Sequence, residues 1–181
     1  MLVWRGLEEW LAEACEVTLD GDRLHAKGTQ FGTEPHPYRV DYELTTGSGW
    51  VTERFVVIAR DAAGQRELDL RRAADGNWTV NGEARPHVAG ALDCDLAFSP
   101  LTNFMPARRL AGAPADHVMA WVSVPDLGVL RSEQRYEPID ERHVRFVGLD
   151  DGFTAELQLD EDGLVVRYPR LAERVASAAR A

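Results

Sequence analysis

The chain has 181 residues, of which 45% are hydrophobic and 28% charged, a composition that fits one globular domain over residues 1–181. The formal net charge of −10 excludes nucleic acid as a partner, because such a surface needs clustered positive charge. There is no apolar run near the ~20 residues of a membrane span and no signal-peptide pattern, so we expect a cytoplasmic protein. Cys15 and Cys94 match no metal or redox spacing, and in that compartment both should be reduced.

The first fifteen residues are compatible with either a helix or a strand. Leu7, Leu11 and Ala14 recur at helical spacing, whereas residues 15–19 alternate between apolar and polar side chains as a strand does. Both assignments remain open from the sequence alone.

From Asp20 onwards the sequence alternates between short strands and turns. A strand over residues 23–27 is followed by a glycine- and proline-marked loop over residues 28–37, and alternation then predicts strands over residues 38–45 and 50–60. Further strands are expected around residues 68–70 and 78–80. Asn81-Gly82, directly after the last of these, predicts a two-residue hairpin turn.

The segment of residues 92–110 departs from this pattern. It begins as a short strand that carries Asp93 and Asp95 on one face, and Pro100 ends the strand because proline has no N–H to donate. Thr102 or Asn103 could cap a short helical turn that leads to the pair Arg108-Arg109. Two interpretations remain open: the segment lines a binding site, or it is a crossover that plugs one end of a barrel with both arginines in solvent.

Five further strands follow, and a polar, alanine-rich helical tail over residues 171–181 closes the chain. The strands are predicted over residues 117–124, 129–136, 144–148, 153–159 and 164–168. Strands this short, separated by glycine- or aspartate-marked turns, are typical of antiparallel barrels and sandwiches. We therefore predict an all-β fold built from a single antiparallel, meander-like sheet with one or two short helices.

Catalytic and metal-binding signatures are absent from the sequence. No nucleophile elbow, phosphate-binding loop or zinc-protease motif is present, and the five histidines never fall at metal-ligand spacing. We therefore expect no cofactor and no metal. One enzymatic alternative remains, in which Asp93 or Asp95 provides acid/base catalysis and an arginine holds an anionic substrate.

Aromatic side chains are the strongest candidates for ligand contacts. Core packing is the better explanation for most of the tryptophans and tyrosines of the predicted strands, but a curved sheet with one short helix leaves part of its concave face uncovered. A concave face lined by aromatic rings and a few polar groups would suit an amphipathic ligand. The aromatic residues in question are Trp50, Trp78, Trp121, Tyr38, Tyr42, Tyr136 and Tyr168.

The sequence resembles a bacterial family known as putative glycolipid-binding proteins. The resemblance rests on residues 92–110, 121–138 and 153–174, and it extends to residues 49–57 and 76–82. Gly49 stands where that family tends to an acidic residue, and the first thirty positions match poorly. The positions that match the family's motifs are Trp50, Arg54, Asp95, Pro100, Thr102, Asn103, Pro106, Arg108 and Arg109.

The resemblance implies a half-open antiparallel barrel wrapped around a helix, similar to lipoprotein carriers that hold acyl chains. We therefore expect a non-enzymatic binder of an amphipathic, lipid-like molecule in the concave face; a module that forms a homodimer through a sheet edge is the remaining alternative. One of Arg108 and Arg109 should be an ion-pair partner within the motif. The other should face the cavity mouth and bind a phosphate, carboxylate or polar sugar head group, with Arg54 as the alternative anchor. The expected ligand-binding residues are Trp50, Arg54, Trp78, Asp95, Asn103, Arg108, Arg109, Trp121, Gln134 and Tyr136.

Overall fold

The computed structural model describes residues 1–175, which contain fifteen β-strands and one short helix, α1 (Phe104–Arg108). The strands of the first half are β1 (Leu2–Gly6), β2 (Leu11–Asp20), β3 (Arg23–Gly32), β4 (Tyr38–Thr46), β5 (Thr52–Asp61), β6 (Gly64–Arg72), β7 (Trp78–Val80) and β8 (Glu83–Ala84). Those of the second half are β9 (Asp93–Leu96), β10 (Ala115–Val122), β11 (Val129–Pro138), β12 (His143–Gly148), β13 (Thr154–Leu159), β14 (Val165–Tyr168) and β15 (Ala172–Arg174). No helix among residues 1–175 is long and apolar enough to cross a membrane.

All fifteen strands of residues 1–175 belong to one sheet, which runs from β8 through β1 to β15 and on to β9. Neighbouring strands are antiparallel except β9 and β10, which pair in parallel. The first and last strands, β1 and β15, are neighbours in the middle of the sheet, so it consists of an N-terminal half (β1–β8) and a C-terminal half (β9–β15). The predicted all-β, antiparallel, open architecture is confirmed.

The strands form where apolar and polar side chains alternate, because successive side chains point to opposite faces of a sheet. In β4, Tyr38, Val40, Tyr42 and Leu44 are buried on the inner face, whereas Arg39 is exposed on the outer face. This alternation continues from strand to strand and produces one apolar interior along the N-terminal half.

The N-terminal region forms two strands joined by a bend at residues 7–9, which settles the question that the sequence left open. Residues 2–6 and 11–15 belong to β1 and β2, and β3 continues to Gly32 where a loop was predicted. That prediction was wrong because two glycines in β3 have a packing role. The rings of Tyr42 and Tyr38 lie directly over Gly28 and Gly32, where a Cβ atom would collide with them.

Two further predictions differ from the structure. Trp50 does not lie on β5 but in a 3₁₀ turn that precedes it, where its φ is 63°. Its ring makes an edge-to-face contact with the Phe104 ring, and the two ring centres are 5.1 Å apart. The helical tail predicted over residues 171–181 is a strand, β15, at Ala172–Arg174, and residues 176–181 lie outside the described part of the chain.

Strand β9 lies inside the molecule and is buried on both faces. Cys94 and Leu96 belong to the core of the N-terminal half, whereas Asp93 and Asp95 point to the opposite side, into the C-terminal half. Thr52 covers the free edge of β9, since its N–H donates to Leu92 O (3.0 Å) and its Oγ accepts from Cys94 N (3.1 Å). The segment of residues 97–110, which we call the crossover segment, therefore passes between the two halves of the sheet.

The hairpin predicted at Asn81-Gly82 is present between β7 and β8. Val80 pairs with Glu83, and the two turn residues have φ values of 51° and 84°. A Cβ atom at Gly82 would meet no other atom, so a side chain there is opposed only by the backbone conformation.

Replacing Gly82 with valine should therefore lower the free energy of unfolding by about 1–3 kcal/mol, because a β-branched residue is strained at positive φ. Urea unfolding measures the change. Gly82→Asn is the matched control and should lose less, because asparagine tolerates the left-handed conformation. Equal losses for valine and asparagine would contradict a backbone origin.

Candidate ligand-binding site

The main cavity, of about 580 Å³, lies between the crossover segment and the C-terminal half of the sheet. Its exposed lining residues include Leu130 and Asp150, so it opens between the start of β11 and the turn after β12. Buried polar side chains from β9, β11 and the crossover segment form a group that we call the floor. Aromatic side chains from β10, β12 and β14, together with Phe98 and with Phe153 just before β13, form a second group that we call the wall.

The floor is a hydrogen-bonded network centred on Asp95. Its carboxylate accepts hydrogen bonds from Thr102 Oγ (2.7 Å) and Gln134 Nε2 (2.8 Å). The Tyr136 hydroxyl lies 2.9 Å from Asn103 Oδ1 and 3.0 Å from Gln134 Oε1. Burial raises the pKa of Asp95 to about 6, although the two donated hydrogen bonds oppose this increase.

The wall consists of aromatic rings in mutual contact. The Phe146 ring lies 5.4 Å from that of Tyr136, 6.2 Å from that of Phe153 and 5.9 Å from that of Tyr168. Trp121 pairs with Asp95 across β9 and β10, so both side chains lie on the cavity face. At the mouth, Leu130 is 55% exposed. An alkyl chain could lie along this wall without displacing a polar contact.

The arginines next to the cavity are paired with carboxylates of the protein. Arg109 forms a bidentate ion pair with Asp93, and its Nη1 lies 2.8 Å from Asp93 Oδ1. Burial raises the pKa of Asp93, and Arg109 acts in the opposite direction. Arg131, the one cationic residue among the described residues that line the cavity, pairs with Glu133 and donates to Ala89 O. An anionic ligand would therefore meet no unpaired cation on the floor.

The structure brings half of the expected site residues together at this cavity. Asp95, Asn103, Trp121 and Gln134 line it, and Tyr136 lies directly behind the floor. The other five are placed elsewhere: Trp50, Arg54, Trp78, Arg108 and Arg109.

Two of these five lie in the N-terminal half. Arg54 points to the outer face of β5, where it pairs with Asp69 at 2.9 Å. The pairing of β4 with β5 shifts register between Thr52 and Arg54, so Thr52 is buried and Arg54 is exposed although they are two residues apart. Trp78 is buried in the core, and its Nε1 donates to Ala91 O at 3.0 Å. Neither reaches the cavity of the C-terminal half.

The adjacent arginines have different environments. One of them was expected to pair with a carboxylate of the same segment, and Arg109 does so with Asp93. Arg108 is exposed at the opposite end of the C-terminal half, where its guanidinium lies 5.9 Å from the centre of the Trp50 ring. The structure therefore does not place Arg108 at the mouth of the main cavity.

Several lining residues were missed by the sequence analysis. Phe146, Phe153, Leu130 and Ser132 lie on predicted strands but were not among the expected ligand-binding residues. Phe98 had no periodic pattern around it. Its position at the predicted end of a strand, two residues before Pro100, was the one feature of the sequence that could have singled it out.

The carboxylates of the enzymatic alternative are both engaged. Arg109 occupies both oxygens of Asp93, while Thr102 and Gln134 occupy those of Asp95. Within residues 1–175 no group of three or more potential ligands from histidine, cysteine, aspartate and glutamate is placed to hold a metal ion. The arrangement suits recognition through hydrogen bonds and apolar contacts.

Comparisons with known proteins agree with this architecture. A family described as putative glycolipid-binding matches residues 1–174, a longer match than the resemblance noted from the sequence. The chain is also similar to a DUF1089 family protein from Pseudomonas aeruginosa, whose crystal structure aligns with a TM-score of 0.80 at 30% identity over 95% of each chain. The comparison with curated proteins found no match. The chain belongs to the putative glycolipid-binding family.

Proposed function

We propose that residues 1–181 act as one domain that binds an amphipathic, lipid-like molecule without catalysing a reaction. The polar head of the ligand occupies the floor formed by Asp95, Asn103 and Gln134. Its alkyl part lies along the aromatic wall that begins at Trp121. The observation that carries this proposal is the cavity of about 580 Å³, which is lined both by buried hydrogen-bonding side chains and by aromatic rings.

The charges of the floor favour a neutral head group. Asp93 is satisfied by Arg109, and Asp95 is buried with a pKa raised to about 6, so an added anion would be repelled. Hydroxyl groups can donate to the carboxylate of the floor, and they can both donate to and accept from its amides. This preference narrows the head groups expected from the sequence, which also included phosphate and carboxylate. It is compatible with a sugar, the ligand class that the family description names.

Native mass spectrometry of protein purified without detergent tests the proposal directly. A bound lipid-like mass that is lost on denaturation would support it. Repeated recovery of empty protein from several expression hosts, together with no binding of added alkyl glycosides, would contradict it.

Trp121→Ala should weaken binding of a fluorescent dodecyl glucoside about tenfold, because the apolar surface of one aromatic wall residue is lost. Fluorescence titration gives the dissociation constants. The matched control is Phe31→Ala, which removes an exposed ring on the outer face of β3, 5.8 Å from the Arg39 guanidinium. The proposal also requires a fatty acid of the same chain length to bind the parent more weakly than the glucoside. Equal affinities of Trp121→Ala and Phe31→Ala would contradict the assignment of the wall.

A further inference from the structure

A second, smaller cavity of about 190 Å³ lies next to the main one, at the β1–β2 connection. Its lining is mostly apolar, with Trp10, Leu11 and Tyr38 on the side of the N-terminal half. Trp10 is 63% exposed and forms the outer wall. The charged residues that line it include Glu8 and Arg170, which pair with each other at 3.2 Å. The charges of Glu8 and Arg170 therefore offset each other, and the space beside them is mainly apolar.

The two cavities share part of their walls. Phe98, Phe153 and Leu171 line both of them. Because these three residues are all apolar, the boundary between the cavities is apolar on each side. An alkyl chain that passed from one cavity to the other would cross no polar group of this boundary.

Phe98 has the backbone geometry of a residue held in place for its side chain. It lies in the tight turn that follows β9, in which Ser99 N donates to Leu96 O at 3.0 Å, and its φ is 63°. Glycine or asparagine is usual at positive φ in such a turn, and a phenylalanine there is strained. Strain of this kind persists only where the surrounding structure imposes it, and it often marks a functional position.

The residues on either side of Phe98 are fixed to both halves of the sheet. Ala97 N donates to Val122 O (2.9 Å), and Ala97 O accepts from Gln30 Nε2 (3.1 Å). Ser99 Oγ donates to the buried carboxylate of Glu13 at 2.8 Å. The backbone of the turn is thus anchored, while the Phe98 residue remains 42% exposed.

We propose that the two cavities are one binding site for a long alkyl chain and that the Phe98 ring is the gate between them. The chain runs from the main cavity past Phe153 and Leu171, and its distal end occupies the smaller cavity beneath Trp10. Short-chain ligands use the main cavity alone. This inference rests on the proposed function, since it specifies the length of the ligand that the same site accepts.

Trp10 tests the occupant of the smaller cavity, because it lines that cavity and not the main one. Each buried methylene should strengthen binding about fourfold, so the length at which affinity stops rising reports the space available. With neutral alkyl glucosides, Trp10→Ala should weaken binding of the hexadecyl compound about tenfold and leave that of the octyl compound within twofold. Equal effects on both lengths, or none on either, would overturn the proposed occupant.

Phe98→Ala tests the gate through kinetics measured by stopped-flow fluorescence. Removing the ring should raise the association rate of the hexadecyl compound about tenfold more than that of the octyl compound. Equal changes at both lengths, or no change at either, would overturn the gate. Failure of the parent to bind any alkyl glucoside would instead defeat the proposed function, so the two failures are distinguishable. Leu92→Ala, at an exposed residue outside both cavities, is the control.

Discussion

Replacing Arg109 with glutamine is expected to lower the free energy of unfolding by about 3–5 kcal/mol, the cost of removing one partner of a buried ion pair. The Asp93 side chain is fully buried, and Arg109 is its counter-ion. Glutamine would leave the carboxylate in the interior without a compensating charge. Arg109 Nη1 also lies 3.4 Å from Trp50 O, so the substitution would loosen the contact between α1 and the turn before β5.

Two variants give this prediction a control and a rescue. Arg54→Gln removes an exposed arginine paired with Asp69 and should cost far less than Arg109→Gln, because solvent screens a surface ion pair. Adding Asp93→Asn to Arg109→Gln should restore part of the loss, because it removes the uncompensated charge. Urea unfolding at pH 7 measures all three changes. Similar losses for Arg54→Gln and Arg109→Gln would contradict the buried pair.

The fold was predictable where the determining interactions are local. Alternation of apolar residues in β4 and the Asn81-Gly82 turn act over a few positions, and both were correct. The pairing of β1 with β15 and the parallel pairing of β9 with β10 join residues distant in sequence, which periodicity does not encode. Gly28 and Gly32 were misread because their role, to accept tyrosine rings, depends on the register of β3 and β4.

The site was predictable only in part for a related reason. Asp95, Gln134 and Tyr136 stood out as polar groups on strands, and they meet because β9 and β11 both flank β10. Trp50 and Trp78 have the same sequence signature as Trp121, but they lie in a different part of the interior. A pattern of alternation shows that a face is buried, and it does not show which of two interior spaces that face borders.

Glu13 is the residue that the sequence least revealed. It lies on the buried face of β2 between Leu11 and Cys15, in a segment whose strand character was uncertain from the sequence. Its Oε1 accepts hydrogen bonds from Tyr42 (2.5 Å) and Ser99 (2.8 Å), so it joins the N-terminal half to the crossover segment. Its Oε2 has no hydrogen-bond partner, and burial raises the pKa of Glu13 to about 7.

This raised pKa makes stability depend on pH in a definite direction. The folded protein holds the Glu13 proton up to about pH 7, whereas the unfolded chain releases it above a pKa near 4.5. The contribution of Glu13 to stability is therefore complete below pH 4.5 and is lost as the pH rises to about 7. The loss amounts to about 3 kcal/mol, because the native state retains a proton that the unfolded state has released.

Glu13→Gln should remove this dependence, because glutamine keeps the oxygen that accepts from Tyr42 and Ser99 and does not ionise. At pH 8 the variant should be more stable than the parent by about 2 kcal/mol, less than the full effect because its buried amide gains N–H groups without acceptors. At pH 4.5 it should be equal or slightly less stable. Urea unfolding at both pH values gives the difference, in which other titrating groups cancel. A Glu13→Gln difference that is constant between pH 4.5 and 8 would mean that the Glu13 carboxyl does not titrate between these pH values in the folded protein.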